Sequence, residues 1–248
     1  MSEIKPILIY PTVTSVMWHP TPELRNRWKK QYGKDRFSFE EALYAQSFPL
    51  WWLFPRSKTK KWKWLGEAFP PEVAKYLFNT YLKGNNYVLL DLFAGIGGWS
   101  LGAVLSGKFR KIIMVELNRE KCIYLDKNFS GFNVDYEILC LDVTNLKDIV
   151  ADVIVASPPC EDMTILKHFN FNETNVGTVP LTLFTINFVE NVKPVLSFYE
   201  NVYRVSLAKL LEKFGWKTQR FNMSNIIPQK RVRLLAMKDN SNLQLWLK

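Results

Sequence analysis

The chain has 248 residues, 48% of them hydrophobic, and 33 Lys and Arg stand against 23 Asp and Glu for a formal charge of +10. That length suits one large core, or one core with a small appendage, and the basic excess favours a polyanionic partner such as nucleic acid while leaving the fold open. Three cysteines with no CxxC pair and only two histidines, His19 and His168, speak against a structural metal or a disulfide framework and for a reducing cytoplasm. No signal-peptide pattern opens the chain and no apolar run reaches the roughly 18 residues of a membrane span.

Within ILIYPTVTSVMWHP the pattern allows one short strand, which Pro20 and Pro22 interrupt ahead of the basic stretch RNRWKKQYGK. Ser38 and Glu41 fit a capping box, and Phe39, Ala42, Leu43 and Phe48 fall near helical spacing, so a helix opens at Ser38 and Pro49 ends it. In WWLFPRSKTKKWKW the cations Arg56, Lys58, Lys60, Lys61 and Lys63 alternate with Trp62 and Trp64. Such a stretch either neutralises phosphates and stacks on bases, or it is a solvated loop whose tryptophans enter the core. Pro70 and Pro71 suit the first turn of a helix over PEVAKYLFNTYLK, which Gly84 and two asparagines terminate.

From Tyr87 onward, apolar runs alternate with amphipathic stretches. Strands are expected at 88–93, 111–116, 136–141, 152–156 and 195–199, with helices near 98–106, 119–128, 181–192 and 206–214. WKTQRFNMSNIIPQKRVRLLAM reads as a final hairpin at the sheet edge. The alternation implies an α/β fold, a mostly parallel sheet with right-handed crossovers and helices on both faces. Ligands then belong at the carboxyl ends of the strands.

Six features fall at or beside those ends. VLLDLFAGIGGWSLGAVLSG runs from an apolar strand carrying Asp91 into Gly95, Gly97 and Gly98, which let helix-start N–H groups approach a ligand, or simply make a tight turn. Glu116, about twenty residues on, suits the two hydroxyls of a ribose, or is a strand-end charge. Asp142 in LDVT can bind an exocyclic amine or cap the helix after it. Cys160 in SPPC follows two prolines at the head of a polar loop reaching about Val179, a nucleophile's position rather than that of a small buried hydrophobe. Glu200 in YENV brings a carboxyl near that thiol if the two strands are neighbours. Arg231 and Arg233 in PQKRVR, alternate residues on one strand face, suit an oxyanion or phosphate, or are surface charge at an edge.

In this order, DLFAGIGG, VELN, LDVT, SPPC, ENV and PQKRVR resemble the first, second, third, fourth, sixth and eighth motifs of the C5-cytosine methyltransferase family, over about Val88 to Met237. Upstream, RFSFEEALYAQSFPLWWLFPRSKTKKWKWLGEAFPPEVAKYLF resembles the ninth and tenth motifs, which in most of the family come last. The resemblance implies a circularly permuted, Rossmann-like S-adenosylmethionine-dependent methyltransferase with a mostly parallel seven-stranded sheet. It implies one catalytic domain over 1–248, with the permuted segment in 1–86 and the first to eighth motifs in 87–248. The separate target-recognition domain that the family inserts between its eighth and ninth motifs is then missing.

The resemblance also implies roles. Cys160 attacks C6 of a cytosine flipped out of the duplex, Glu200 meets N3, Arg233 with Arg231 holds the base and the nucleophile loop, and Asn201 braces that loop. Asp91, Phe93, Ala94, Gly95, Ile96, Gly97 and Gly98 surround the methionine and adenosine parts of S-adenosylmethionine. Glu116 and Leu117 take the ribose, Asp142 and Val143 the adenine, Pro159 and Leu181 line the same pocket, and the 66–69 loop with Glu67 and Ala68 reaches the carboxylate side. Two positions depart from the pattern: Glu161 replaces the usual Gln after the nucleophile, and Glu67 replaces the Asn of a Gly-Asn pair.

The activity implied is that of a cytoplasmic DNA (cytosine-5-)-methyltransferase, as in restriction–modification systems, with no metal and no membrane. Its sequence specificity comes from a partner protein, a second copy of the chain, or residues 1–35. An RNA methyltransferase of the same fold, acting on transfer RNA, is the alternative from another substrate class, and a subunit that only binds cofactor or nucleic acid is the non-enzymatic one. A nicotinamide dehydrogenase accounts for neither SPPC nor ENV.

Overall fold

In a computed structural model of the chain, residues 9–14, 17, 20–147, 149–159 and 181–240 are described; His19, Cys160, Glu161 and His168 lie outside them. Four helices come first: α1 (Pro22–Tyr32), α2 (Phe39–Ala45), α3 (Lys58–Glu67) and α4 (Pro71–Tyr81). Pro22 starts α1 instead of breaking it, since the N–H it lacks is one the first turn leaves unpaired. Thr21 accepts a hydrogen bond from the Leu24 N–H at 3.3 Å, and Gly33 ends the helix at φ 72°. The Ser38–Glu41 capping box is present, but α2 ends at Ala45, before Pro49. The basic stretch folds as a helix, α3, capped by Ser57 and burying Trp62, Trp64 and Leu65. Of the strand expected near the start, a single bridge between Tyr10 and Gln229 is found among the described residues.

The strands are β1 (Tyr87–Leu92), β2 (Phe109–Val115), β3 (Asp135–Leu139), β4 (Val153–Ala156), β5 (Leu196–Asn201), β6 (Lys217–Asn222) and β7 (Val232–Asp239). Between them run α5 (Gly98–Ser106), α6 (Arg119–Phe129), α7 (Leu181–Val192) and α8 (Val205–Lys213). The seven strands order as β3-β2-β1-β4-β5-β7-β6. The first five are parallel, and β7 inserts antiparallel between β5 and β6. The expected α/β sheet and closing hairpin are both present, with β6 at the edge and β7 inside.

Alternation along each strand splits the core. Leu89, Ile112, Met114, Val153, Val155, Phe198 and Leu235 face α4, α5 and α6, whereas Leu90, Leu92, Ile154, Ala156, Tyr199 and Leu234 face α7 and α8. Phe78 of α4 lies fully buried with ring centroids of Phe109 and Phe198 at 4.8 and 6.2 Å. Burial of such a side chain stabilises by about 1.5–3 kcal/mol. α4 packs this closely on α5 because α5 is small where they touch: a Cβ on Gly102 would stand 2.4 Å from the Ala74 Cβ, and one on Gly98 2.0 Å from the Phe69 carbonyl oxygen. Directly beside Gly98, the rings of Phe69 and Trp99 stack at 3.7 Å.

A buried polar chain fastens the amino-terminal helices to the segment before β7. Gln229 Nε2 donates to Gln46 Oε1 at 2.7 Å, and Gln46 Nε2 donates to the Ala68 carbonyl at 2.6 Å. The expectation that no disulfide forms is corrected: Cys122 of α6 and Cys140, just past β3, are bonded, with Cα atoms 6.0 Å apart. Composition missed it because the partners are 18 residues apart and only the β3–α6 packing brings them together. Among the described residues, no helix is long and apolar enough to cross a membrane.

Candidate active site

A cavity of about 720 Å³ opens at the carboxyl ends of the strands. Its first wall is the glycine turn. Phe93, Gly95 and Gly97 all take the left-handed conformation, with φ of 63°, 61° and 84°, and reverse the chain between β1 and α5. For a residue with a side chain this costs about 1–3 kcal/mol and is commonest where function needs it; the Phe93 side chain lines the cavity. Glu116, at the end of β2, accepts the Gly95 N–H through Oε2 and the Asn118 N–H through Oε1, both at 2.8 Å. The carboxylate thus ties the turn to the neighbouring strand, and each oxygen keeps a lone pair for a ligand hydroxyl. Leu117, largely exposed, and Val143 add apolar surface on either side. Asp142 Oδ1 accepts from the Thr144 N–H at 2.9 Å, so it caps the short helical turn after it while lining the same cavity.

Ala94, Ile96, Gly98, Glu67, Ala68, Pro159 and Leu181 also line the cavity, as expected. Asp91 and Gly97 do not, and both assignments are corrected. Asp91 is buried beneath the turn, where Ser100 Oγ donates to Oδ2 at 2.6 Å and Oδ1 has no partner. Burial pushes its pKa up to about 7; the Ser100 hydrogen bonds oppose the rise and the nearby Glu116 charge adds to it. A Cβ on Gly97 would meet Phe129 at 2.8 Å, so this glycine serves the packing of α6 on the turn.

The opposite wall carries the polar pair. Glu200, buried at the end of β5, receives the Arg233 Nε at 3.2 Å. Asn201 Nδ2 donates to the Pro158 carbonyl at 3.1 Å, holding the chain two residues before Cys160. Arg231 lines the cavity too, and its hydrogen bonds go to backbone carbonyls. It precedes β7, is 1% exposed, and donates to the Gly66 carbonyl at 3.1 Å and the Ala68 carbonyl at 3.2 Å, where a base or anion contact was expected. Its guanidinium therefore shapes the end of α3 at residues 66–68, where Gly66 and Glu67 form the last helical turn and not the loop expected. Burial, helped by the like charge of Arg233, pulls its pKa down to about 9, still a cation at neutral pH.

The basic residues of α3 are distributed differently from a free cationic face. Lys60 pairs with Glu120 at 2.5 Å, Lys63 with Glu67 at 3.7 Å, and Lys61 sits 4.3 Å from the Phe39 ring centroid, while Arg56 and Lys58 are exposed. Trp62 and Trp64 are core residues, the plainer of the two readings left open. Sequence reasoning passed over Trp99, whose Nε1 donates to Ser157 Oγ at 3.0 Å. The bond joins the Phe69–Trp99 stack to the strand end that leads into SPPC. The only hint was an aromatic residue in an otherwise small-residue helix start.

A model of the C-5 cytosine-specific DNA methylase family matches residues 87–236, from the first residue of β1 into β7. The chain belongs to that family. Among curated relatives of the chain, Type II methyltransferase M.HindV of Haemophilus influenzae is 32% identical over 130 residues, 50% of this chain and 40% of its own. Type II methyltransferase M1.HphI of Haemophilus parahaemolyticus is 27% identical over 196 residues, 69% of this chain and 50% of its own. The chain therefore spans about half or less of these relatives' length. A methyltransferase of known structure from Pyrococcus furiosus superposes with a TM-score of 0.51 at 14% identity, covering 88% of this chain and 94% of that one. The fold is accordingly the Rossmann-like methyltransferase fold, and α1 to α4 lie outside the span the methylase family model matches.

Proposed function

We propose that the chain carries the catalytic machinery of an S-adenosylmethionine-dependent DNA cytosine-5 methyltransferase. One observation bears most of the weight: the Glu200–Arg233 pair, the glycine turn and the strand end at 157–159 all face a single cavity. A nucleoside site alone needs no buried carboxyl and guanidinium opposite it. A base that reacts there does.

The cofactor's shape and polarity fit the first wall. Phe93, Leu117 and Val143 offer apolar surface for a flat ring, Glu116 lone pairs for the ribose hydroxyls, and Asp142 an acceptor for an exocyclic amine. When bound, S-adenosylmethionine supplies a methyl group on cationic sulfur. The chain's own residues do the rest. The Cys160 thiolate forms a bond to C6 of the extruded cytosine, and the displaced electron pair moves toward N3, where Glu200 shares a proton. Arg233 fixes the plane of that carboxyl. Once C5 carries the methyl group, loss of the C5 proton restores the ring double bond and expels the Cys160 thiolate. Asn201 limits the approach of Cys160 through the Pro158 carbonyl.

DNA is taken as the substrate, with α3 and α4 read as the displaced ninth and tenth motifs. Base discrimination is assigned to a partner protein, a second copy of the chain, or residues 1–35. The test is incubation with radiolabelled S-adenosylmethionine and either mixed-sequence duplex DNA or total transfer RNA. Label in DNA, lost in Cys160→Ser, is expected, as is covalent capture of wild-type protein on 5-fluorocytosine DNA. Label in RNA alone, or none even with a companion protein, overturns the reading.

A further inference from the structure

The residues after Glu200 and Asn201 do something unusual for a chain leaving a buried strand. Val202, Tyr203, Arg204, Val205 and Ser206 are all exposed in succession, with Val202 at 42% and Val205 at 56%. Arg204 occupies the position before α8 and makes no capping bond, where Ser, Thr, Asp or Asn would stabilise the helix. Local rules are broken here in the direction of putting apolar, aromatic and cationic groups into water, which is where function is to be sought.

Arg220 of β6 joins this run from the side, its guanidinium 5.7 Å from the Tyr203 ring centroid. Arg220 pairs across the sheet with Leu234, and Leu234 with Asn201, so the arginine is placed by the same register that places the Glu200–Arg233 pair one step along. Among the described residues, neither Arg204 nor Arg220 forms an ion pair, in contrast to Lys60 and Lys63 of α3. An exposed aromatic ring flanked by two cations without acid partners, beside a site that takes a base, matches the composition of a strand of nucleic acid: a π face next to a phosphate.

We infer that Tyr203, Arg204 and Arg220 form a nucleic-acid contact at the mouth of the cavity, Tyr203 stacking on a base next to the target while the two arginines neutralise phosphates of the same strand. This rests on the reading of the cavity as a DNA methyltransferase site. It moves the principal contact from the α3 lysines to the rim beside Glu200.

Fluorescence anisotropy with a labelled mixed-sequence duplex, titrated between about 50 and 200 mM salt, tests it. Arg204→Gln and Arg220→Gln are each expected to reduce the slope of log K against log salt by about 0.9. Tyr203→Ala is expected to weaken binding about fivefold to hundredfold with the slope unchanged. Lys83→Gln, exposed at the opposite end of the strands, serves as the charge control and keeps the wild-type slope. Calorimetry with S-adenosylhomocysteine shows whether each variant is folded; should Tyr203→Ala fail there, the two arginine variants decide. If both arginine variants keep the wild-type slope while the wild type still methylates DNA, the contact is wrong and the site reading survives. If the wild type labels transfer RNA and not DNA, the site reading fails and the contact to DNA fails with it.

Discussion

Glu200 and Arg233 are bound to each other but depend on each other unequally. Glu200 is the more buried of the two, so Arg233→Ala strands a carboxylate out of water, whereas Glu200→Gln leaves a neutral amide that can still meet the guanidinium. Glu200→Gln is therefore expected to fold normally, bind cofactor as the wild type does, and lose about 10²–10⁴-fold in turnover; cofactor calorimetry beside single-turnover methylation separates the two effects. Asp91 makes a different prediction. Its folded-state pKa of about 7 lies above the ordinary carboxylate value, so the native chain holds a proton that the unfolded chain has released between those two values. The stability this proton carries is full below the ordinary range and is lost as pH rises through 7. Between about pH 6 and 8 the loss is on the order of 1 kcal/mol, and Asp91→Asn, neutral throughout, should flatten that slope in urea unfolding. A neutral acid also suits an oxygen with no partner better than a carboxylate does.

α5 and the 66–69 loop can touch only because residue 98 has no side chain. In Gly98→Ala the new methyl falls 2.0 Å from the Phe69 carbonyl, so the loop must withdraw from the cavity. Cofactor affinity is expected to drop at least about tenfold, with stability lower by about 1–3 kcal/mol, in calorimetry and thermal unfolding. The Cys122–Cys140 bond ties α6 to the end of β3 across a separation of 18 residues. Reduction by a dithiol, or Cys140→Ser, is expected to cost about 3 kcal/mol by urea unfolding. At this scale the sequence was most readable where one signal acted alone. The periodicity from Tyr87 onward placed α5 and α7 at their observed bounds, and Ser38–Glu41 marked a helix start. It was least readable where signals competed. Alternating Lys and Trp hid the helical stripe of α3, and Pro22 resembles a breaker in sequence but follows Thr21, the cap that makes it a first-turn residue. Arg231 was readable as a residue of the site but its partners were not, because they are carbonyls more than 160 residues away and backbone oxygens leave no trace in composition.

Across the whole molecule, the site's residue types were legible and their division of labour was not. Glu116, Asp142, Glu200 and Arg233 all reached the cavity because strand ends must, whereas Asp91 and Gly97 turned out to support the turn from below. The net charge of +10 pointed to a polyanion without showing where it lies, since many of the cations sit beside acids or rings. One wall of the cavity is borrowed. The turn at 66–68 belongs to the first helices, yet Arg231 directly, and Gln229 through Gln46, hold it from the far end of the chain, and only the exposed turn at residues 83–86 links α4 to β1 in sequence. A single protease nick in that turn should therefore leave two fragments that stay together through a size-exclusion column, held by the shared core, separate at a lower urea concentration when Arg231→Ala removes the clasp, and grip each other harder in the presence of S-adenosylhomocysteine. The small molecule would then act as mortar between two pieces of one chain, and its affinity would report on how firmly they are joined.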